Sequence, residues 1–392
     1  MGLKAKAIYL ARQFPFIYPR KIVTSCQEWI VKQGKQRGAY FSQRGPWWKD
    51  IFPVDFLHHP APKTLGVPND KVFFTNQNYP TPKASLFYLQ NTYLLGHKGF
   101  ILSAKNELFQ EFTHNFNVSS LKKLLWKNPF YTFGSGVRKI SGSGAVLISP
   151  ESHNYYHWLS DVLPRIKLYE PVFGQIDHFC VASNVPAKFL EILKEFGIPA
   201  EKILLVGERE KLHFDHLYVS SLPGSEGRAP KWAVDYTREK LIKADGQKPS
   251  KKIYFKRGDD VERKILNEAA LIALLVNEGF EIVDPGAMSI PAQIKLMNEA
   301  AVVIGAHGAA LTNLLFCPDG ASVIEIFSPD YFRTDCYYTL SAILNFDYWY
   351  IVGEKSKDGK WGDMIVDQEL IKQTLRHISD IEKFPKNIEQ RS

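Results

Sequence analysis

The chain has 392 residues, 45% hydrophobic and 23% charged, with a net charge of +8. That is the composition of an ordinary globular protein able to bury a sizeable core, and the length predicts two domains or three. The positive balance would favour anionic membrane surfaces, nucleic acid or phosphorylated substrates, but the basic residues are scattered without a dense run. A solvated surface accounts for them, and a nucleic-acid role has no basic stripe or module behind it.

No stretch approaches the roughly 18 consecutive apolar residues of a membrane-spanning helix. The first residues, MGLKAKAIYLARQFPFIYPRK, are interrupted by Lys6, Arg12, Gln13 and prolines and do not read as a signal peptide. Cys26, Cys180, Cys317 and Cys336 are far apart and form no CxxC pair, which predicts buried reduced thiols. Together these features predict a cytoplasmic protein.

Taken in chain order, residues 1–100 are rich in aromatics and prolines. They predict a β-rich segment with short strands at Val72–Thr75, Ser85–Gln90 and Thr92–Leu95, punctuated by Pro80-Thr81-Pro82 and Gly96-His97-Lys98-Gly99. Asn106–Trp126 reads as partly helical, and Gly134, Gly136, Gly142 and Gly144 read as loop markers. A strand at Ala145–Ile148 is followed by Tyr155, Leu159, Val162 and Ile166 at helical spacing. These predict a helix over Tyr155–Leu163 that bends past Pro164. Alternating elements follow: strand His178–Ala182, helix Pro186–Phe196, and strands Ile203–Val206 and His216–Ser220. They predict a parallel-sheet first domain.

Leu222–Pro230, the helix Trp232–Lys243 and the polar run to Lys251 read as a connection. The second half then predicts strand Lys252–Phe255, helix Asn267–Asn277 and strand Glu281–Val283. A helix capped by Ser289 runs to Glu299 with Pro291 in its first turn. Ala301–Ile304 reads as a buried strand, Gly305–Ala310 as a small-residue turn, Leu311–Phe316 as a helix and Ser322–Phe327 as a second buried strand. A helix at Thr334–Leu344, a strand at Tyr348–Val352 and a polar C-terminal helix near Gln368–Glu382 complete the chain. The domains expected are 1–228, 229–355 and a tail, 356–392, able to fold back across a cleft.

Three clusters carry chemistry. In the first, His157 and Asp161 are four apart and share a helix face, so the carboxylate can fix the imidazole tautomer as a general base requires. Asn154, Trp158 and Arg165 surround them, with Arg165 placed to serve a phosphate or to pair with Asp161. A surface His–Asp pair at a helix start fits the same residues. His153 and His157 have a metal-ligand spacing but no third ligand in view. In the second cluster, Arg257 ends a strand and Arg263 follows, their planar forks suited to phosphate. Two solvated arginines are the plainer reading. In the third, Gly305 and Gly308 open the turn before a helix whose positive end would face an anion, with His307, Ala309, Thr312 and Asn313 around it. Glu325, on the next strand, could take a ribose diol. A tight turn with a core helix and a buried charge is equally compatible.

The motifs NYYHWLSDVLPR (Asn154–Arg165), YFKRGDDVERKILNE (Tyr254–Glu268), Gln293, GAHGAALTN (Gly305–Asn313) and VIEIF (Val323–Phe327) resemble glycosyltransferase family 61 in order and spacing. The resemblance spans about Ala145–Phe327, under half the chain, without departure at the matched positions. It implies an α/β GT-B type fold, two Rossmann-like domains facing across a cleft. The first would hold the acceptor and the second the nucleotide-sugar. It also implies inversion without a bound metal or other cofactor, with the nucleotide-diphosphate sugar as donor substrate. Arg257, Arg263 and the helix start at Gly308 would then neutralise the leaving diphosphate.

The expected function is transfer of a sugar to a saccharide hydroxyl in capsular, exo- or lipopolysaccharide biosynthesis. The expected setting is a bacterial enzyme at the cytoplasmic membrane face, acting on a lipid-linked or growing glycan. A non-catalytic nucleotide- or glycan-binding protein of a polysaccharide assembly complex is the alternative. A dehydrogenase lacks its GxGxxG after a first strand.

Overall fold

The computed structural model describes residues 19–36, 45–66, 78–113, 117, 119–121, 123, 136–224, 227–243, 249–257, 262–331, 335–356 and 359–383. The strand expected at Val72–Thr75 and the loop at Gly134 lie outside them. The chain divides into two compact units, Met1–Asp55 with Thr81–Glu226, and Phe56–Pro80 with Gly227–Ser392. The architecture is mixed α/β, with a large sheet in the first unit and a smaller parallel sheet in the second.

In the first unit one sheet joins the early β-rich segment to the later α/β alternation. Its strands are β1 (Lys21–Val23), β2 (Trp47–Phe52), β5 (Ala84–Leu95), β6 (Phe100–Leu102), β7 (Glu107–Phe109), β8 (Val137–Val146), β9 (His178–Ala182), β10 (Ile203–Val206) and β11 (Lys211–Ser220). A separate pair, β3 (Asp55–His58) and β4 (Asn78–Thr81), completes the numbering. The order in the main sheet is β1-β7-β6-β5-β11-β8-β9-β10, with β2 on β5. β11 is the seam: it runs antiparallel to β5 and parallel to β8. In the later half β8, β9 and β10 pair in parallel across long crossovers; in the early half β5, β6 and β7 pair antiparallel, and β1 joins β7 in parallel.

Asn106 leads into β7 and the 3-10 turn Gln110–Phe112, with Leu108 and Phe109 fully buried, and residues 119–121 are helical, in line with the partly helical reading of this span. One expectation changes here. Gly142 and Gly144 lie inside β8, not in loops. A Cβ on Gly142 would meet Asp177 Oδ2 at 2.5 Å, and one on Gly144 would meet Phe214 at 2.6 Å. Glycine inside a strand marks such close approach.

The second unit holds a five-stranded, all-parallel sheet. It is formed by β12 (Lys251–Phe255), β13 (Phe280–Val283), β14 (Ala300–Ala306), β15 (Ser322–Phe327) and β16 (Asp347–Val352). Their order is β13-β12-β14-β15-β16, so the chain reverses its direction of travel between β12 and β14. Crevices at the carboxyl ends of strands flanking such a reversal are where open α/β sheets bind ligands. β14 and β15 read AAVVIGA and SVIEIF, the near-continuous apolar runs of strands covered on both faces.

The segment after β14 is a 3-10 helix, Ala309–Phe316, and not the expected α-helix. Phe56–Pro80 groups with this unit. Lys63 extends the edge of β16, giving its amide to Tyr348 O at 3.3 Å and accepting from Tyr350 N at 2.9 Å, which covers an otherwise open strand edge. The C-terminal helix Gln368–Lys383 buries Ile371, Leu375 and Ile378 in the core of this unit, against a cluster that includes Ile304, Ile324 and Ile351. Among the described residues no helix is long and apolar enough to cross a membrane. All four cysteines are buried thiols outside any disulfide.

Candidate functional site

In the first unit, the segment after β8 begins helically at Tyr155–His157, widens to a π turn over Trp158–Val162 and resumes as Arg165–Tyr169. Pro164 lacks an amide hydrogen, and its ring crowds the carbonyl one turn back. The chain relieves this by the wider turn, in which Leu163 N bonds Trp158 O at 3.0 Å. Asn154 caps the segment, accepting from Tyr156 N at 2.9 Å. Trp158 is fully buried and stacks on Phe189 with centroids 6.0 Å apart.

Arg165 is also buried. It donates to Ser220 Oγ and Ile148 O, both at 2.8 Å, tying the helix to the sheet. Asn154, Trp158 and Arg165, read from the sequence as acceptor or cleft residues, are therefore occupied in building the segment. Arg165 pairs with no carboxylate among the described residues. What the segment presents is His157, whose Nδ1 lies 2.6 Å from Asp161 Oδ2, with side chains 22% and 10% exposed. His153 lies apart, 3.9 Å from Glu151. No cluster of three or more metal-ligating groups occurs among the described residues.

In the second unit, the carboxyl ends of β12 and β14 carry Arg257 and His307. The backbone of Arg257 is pinned by Glu268 Oε1, which accepts from Arg257 N at 2.9 Å and from Tyr254 OH at 2.7 Å. Its guanidinium donates to His307 O at 2.9 Å and Glu262 O at 3.0 Å. A Cβ on Gly308 would sit 3.0 Å from Arg257 Nη1, so this glycine makes room for the arginine. Gly305 makes room for Leu311 in the same way, at 3.0 Å. The glycines were expected to admit an anion to the backbone; the space they leave is filled by protein groups.

Arg263 has a left-handed backbone, φ 64°, and its guanidinium lies 4.4 Å from the Tyr331 ring centroid. Burial, and then the neighbouring Arg263 cation, hold the Arg257 pKa below its ordinary value. The Nε atoms of both arginines are buried and lack hydrogen-bond partners among the described residues. Two crowded cations with unspent donors have the chemistry to hold an anion.

Beneath this pair runs a buried chain of hydrogen bonds. Glu325 Oε1 lies 2.5 Å from His307 Nδ1, and Glu325 Oε2 accepts from Tyr348 OH at 2.6 Å. Pairing of Gly305 with Glu325 between β14 and β15 sets the first contact. Both carboxylate oxygens are thus engaged within the fold, which corrects the expectation of a ribose ligand: Glu325 is 1% exposed and orients His307. The Tyr348 hydroxyl is pushed well above its usual pKa by burial and by the Glu325 charge.

Thr312 and Asn313, also expected at the donor, are fully buried. Thr312 faces Tyr337 OH at 3.4 Å, and Asn313 bonds Gln293 Oε1 at 2.8 Å. Gln293 in turn reaches Pro285 O at 2.9 Å. These residues brace the 3-10 helix, while Ala309 opens it, partly exposed. The structure thus groups Arg257, Arg263, His307 and Gly308. Sequence reasoning missed Tyr331, which lies beyond the carboxyl end of β15; position at that sheet edge was the available signal.

The model of glycosyltransferase family 61 matches residues 155–324, a stretch that includes His157, Asp161, Arg257, Arg263, His307 and Gly308 and ends just before Glu325. Curated relatives include the protein O-linked-mannose beta-1,4-N-acetylglucosaminyltransferase 2 of Tetraodon nigroviridis. It is 32% identical over 209 residues, 50% of this chain and 32% of that protein. The Takifugu rubripes protein of the same name is 32% identical over 116 residues, 28% of this chain and 19% of its own length. The Homo sapiens one is 33% identical over 97 residues, 23% and 16% respectively. The chain thus spans a third or less of the length of these relatives.

Proposed function

We propose that this chain, matched to glycosyltransferase family 61 over residues 155–324, is a glycosyltransferase that moves a sugar from a nucleotide-sugar donor to a saccharide hydroxyl. The observation that carries the reading is the pairing of Arg257 and Arg263 at the sheet's reversal point, with His307 O and Gly308 packed against Arg257. Fixed cations there stabilise the charge that develops on a departing nucleoside diphosphate, and they need no reorganisation as it forms. The buried Glu325 holds His307 in one orientation and tautomer.

The finer proposal is an inverting, metal-independent enzyme of GT-B type. His157 takes the proton of the acceptor hydroxyl. With Nδ1 held by Asp161, the other ring nitrogen is the basic one, and the carboxylate stabilises the imidazolium that results. The names of the relatives make N-acetylglucosamine the first donor sugar to try. A polysaccharide acceptor, lipid-linked or growing, made at the cytoplasmic membrane face of a bacterium belongs to the same proposal and rests on the sequence resemblance.

The test is thermal-shift screening of the purified protein against nucleotide sugars, with Mg²⁺ and with EDTA. A ligand at about 100 times its dissociation constant stabilises the native state by about 2.7 kcal/mol, a rise of several degrees. The expected result is a rise with one nucleotide sugar, equal in Mg²⁺ and EDTA and absent in Arg257→Ala. A rise with dinucleotides alone, or with none, overturns the reading. Binding without turnover of any acceptor would favour the binding-protein alternative.

A further inference from the structure

Tyr331 connects the arginine pair to a large aromatic at the surface. Its ring lies 5.7 Å from that of His307 and carries the Arg263 guanidinium on one face. It meets Trp361 edge to face, with centroids 6.0 Å apart and planes at 87°. Trp361 is 56% exposed, although burial of an indole is normally among the larger contributions to folding.

The turn that carries Trp361 is tightly held. Gly362, at φ +87°, donates its amide to Asp330 Oδ2 at 3.2 Å, and Lys355 pairs with the other oxygen of Asp330 at 2.9 Å. Asp363 accepts from Lys264 N at 2.9 Å and from Lys360 N at 3.0 Å. A Cβ on Gly362 would lie 2.7 Å from Arg263 Cγ, so the turn closes directly onto the stem of the arginine. An exposed aromatic on a turn fastened to a phosphate-binding arginine is a rigid face awaiting a planar partner.

We propose that Trp361, supported by Tyr331, is the stacking platform for the nucleobase of the donor; this rests on the donor-site reading above. With the diphosphate on Arg257 and Arg263, the nucleoside is the part of the ligand that offers an aromatic plane. Every base has such a face, and its stacking on an aromatic side chain is worth enough to detect by truncation.

The experiment is isothermal titration of UDP, GDP, CDP, ADP and inorganic pyrophosphate into the full chain and into Trp361→Ala, Trp361→Phe and Arg257→Ala. Trp361→Ala is expected to weaken the preferred nucleoside diphosphate about ten-fold while leaving pyrophosphate unchanged. Trp361→Phe is expected to recover most of the loss. Arg257→Ala is expected to weaken both ligand types. Nucleoside diphosphate binding that is unchanged in Trp361→Ala, or equal losses for nucleotide and pyrophosphate, overturns the platform and leaves the donor site standing. Binding of neither ligand type by the unaltered protein removes the donor site itself, and the platform with it.

Discussion

Each unit carries a histidine fastened to a carboxylate through Nδ1, His157 to Asp161 at 2.6 Å and His307 to Glu325 at 2.5 Å. The two pairs are made differently. His157 and Asp161 are four residues apart on one turn of chain; the His157 ring stays partly exposed, while Asp161 beneath it is buried. His307 and Glu325 are 18 apart and meet because β14 and β15 lie side by side, with Tyr348 of β16 closing the second carboxylate oxygen. A partly exposed pair can exchange a proton with a hydroxyl brought to it. A pair with every oxygen spent and almost no exposure is suited to holding a ring still. Alike in distance, they differ in what their surroundings allow.

The largest effect should come from the pair whose imidazole is accessible. His157→Ala is expected to lower turnover by about 10²–10⁴-fold, the usual contribution of a general base, with donor affinity unchanged. Wild-type turnover in that variant would refute the assignment. Next, Arg257→Ala should cost on the order of 10²–10³ in turnover, as loss of a preorganised charge donor does. It should also weaken nucleoside diphosphate binding in titration.

Third, Glu325→Ala removes the buried carboxylate that both the His307 imidazole and the Tyr348 hydroxyl bond. It should destabilise the second unit by roughly 2–5 kcal/mol in denaturant unfolding. Asp161→Ala leaves the His157 ring within reach of water and should cost less, about 1–2 kcal/mol. Equal destabilisation by the two changes would erase the distinction drawn here.

The smallest effect concerns a third histidine. His59 is 1% exposed, packs edge-on against Tyr338 at 5.1 Å, and has no hydrogen-bond partner for either nitrogen among the described residues. Burial, reinforced by Arg228 and His58 and opposed by Asp335, holds its pKa below the ordinary value. The folded state therefore binds fewer protons than the unfolded one as pH drops below about 6.5, and stability falls with pH in that window. His59→Phe should flatten this acid-side slope in pH-dependent unfolding. An unchanged slope would assign it to other groups.

The difference between the pairs also marks what could be read in advance. The i, i+4 spacing of His157 and Asp161 is local, so the side chains meet wherever the segment turns helically, even through a π turn that no periodicity revealed. The strands of the second unit were legible for a similar reason, since apolar β-branched runs between glycine and proline breaks need no partner to be recognised. Arg257 and His307 were legible as strand-end residues in a βαβ pattern.

The roles of Asn154, Trp158, Arg165, Thr312, Asn313 and Glu325 were not. A polar or aromatic side chain beside a site looks the same in sequence whether it faces a ligand or the core. Only packing showed these six capping, stacking or bonding within the fold. The sequence by itself determined the order of strands and helical segments in the second unit and which residues bear chemistry, because hydrophobic period and residue type are local properties. The tertiary structure decided which of those residues meet, which are spent on holding the others, and that Tyr331 and Trp361 adjoin the arginines, because strand register and burial join residues that lie far apart along the chain.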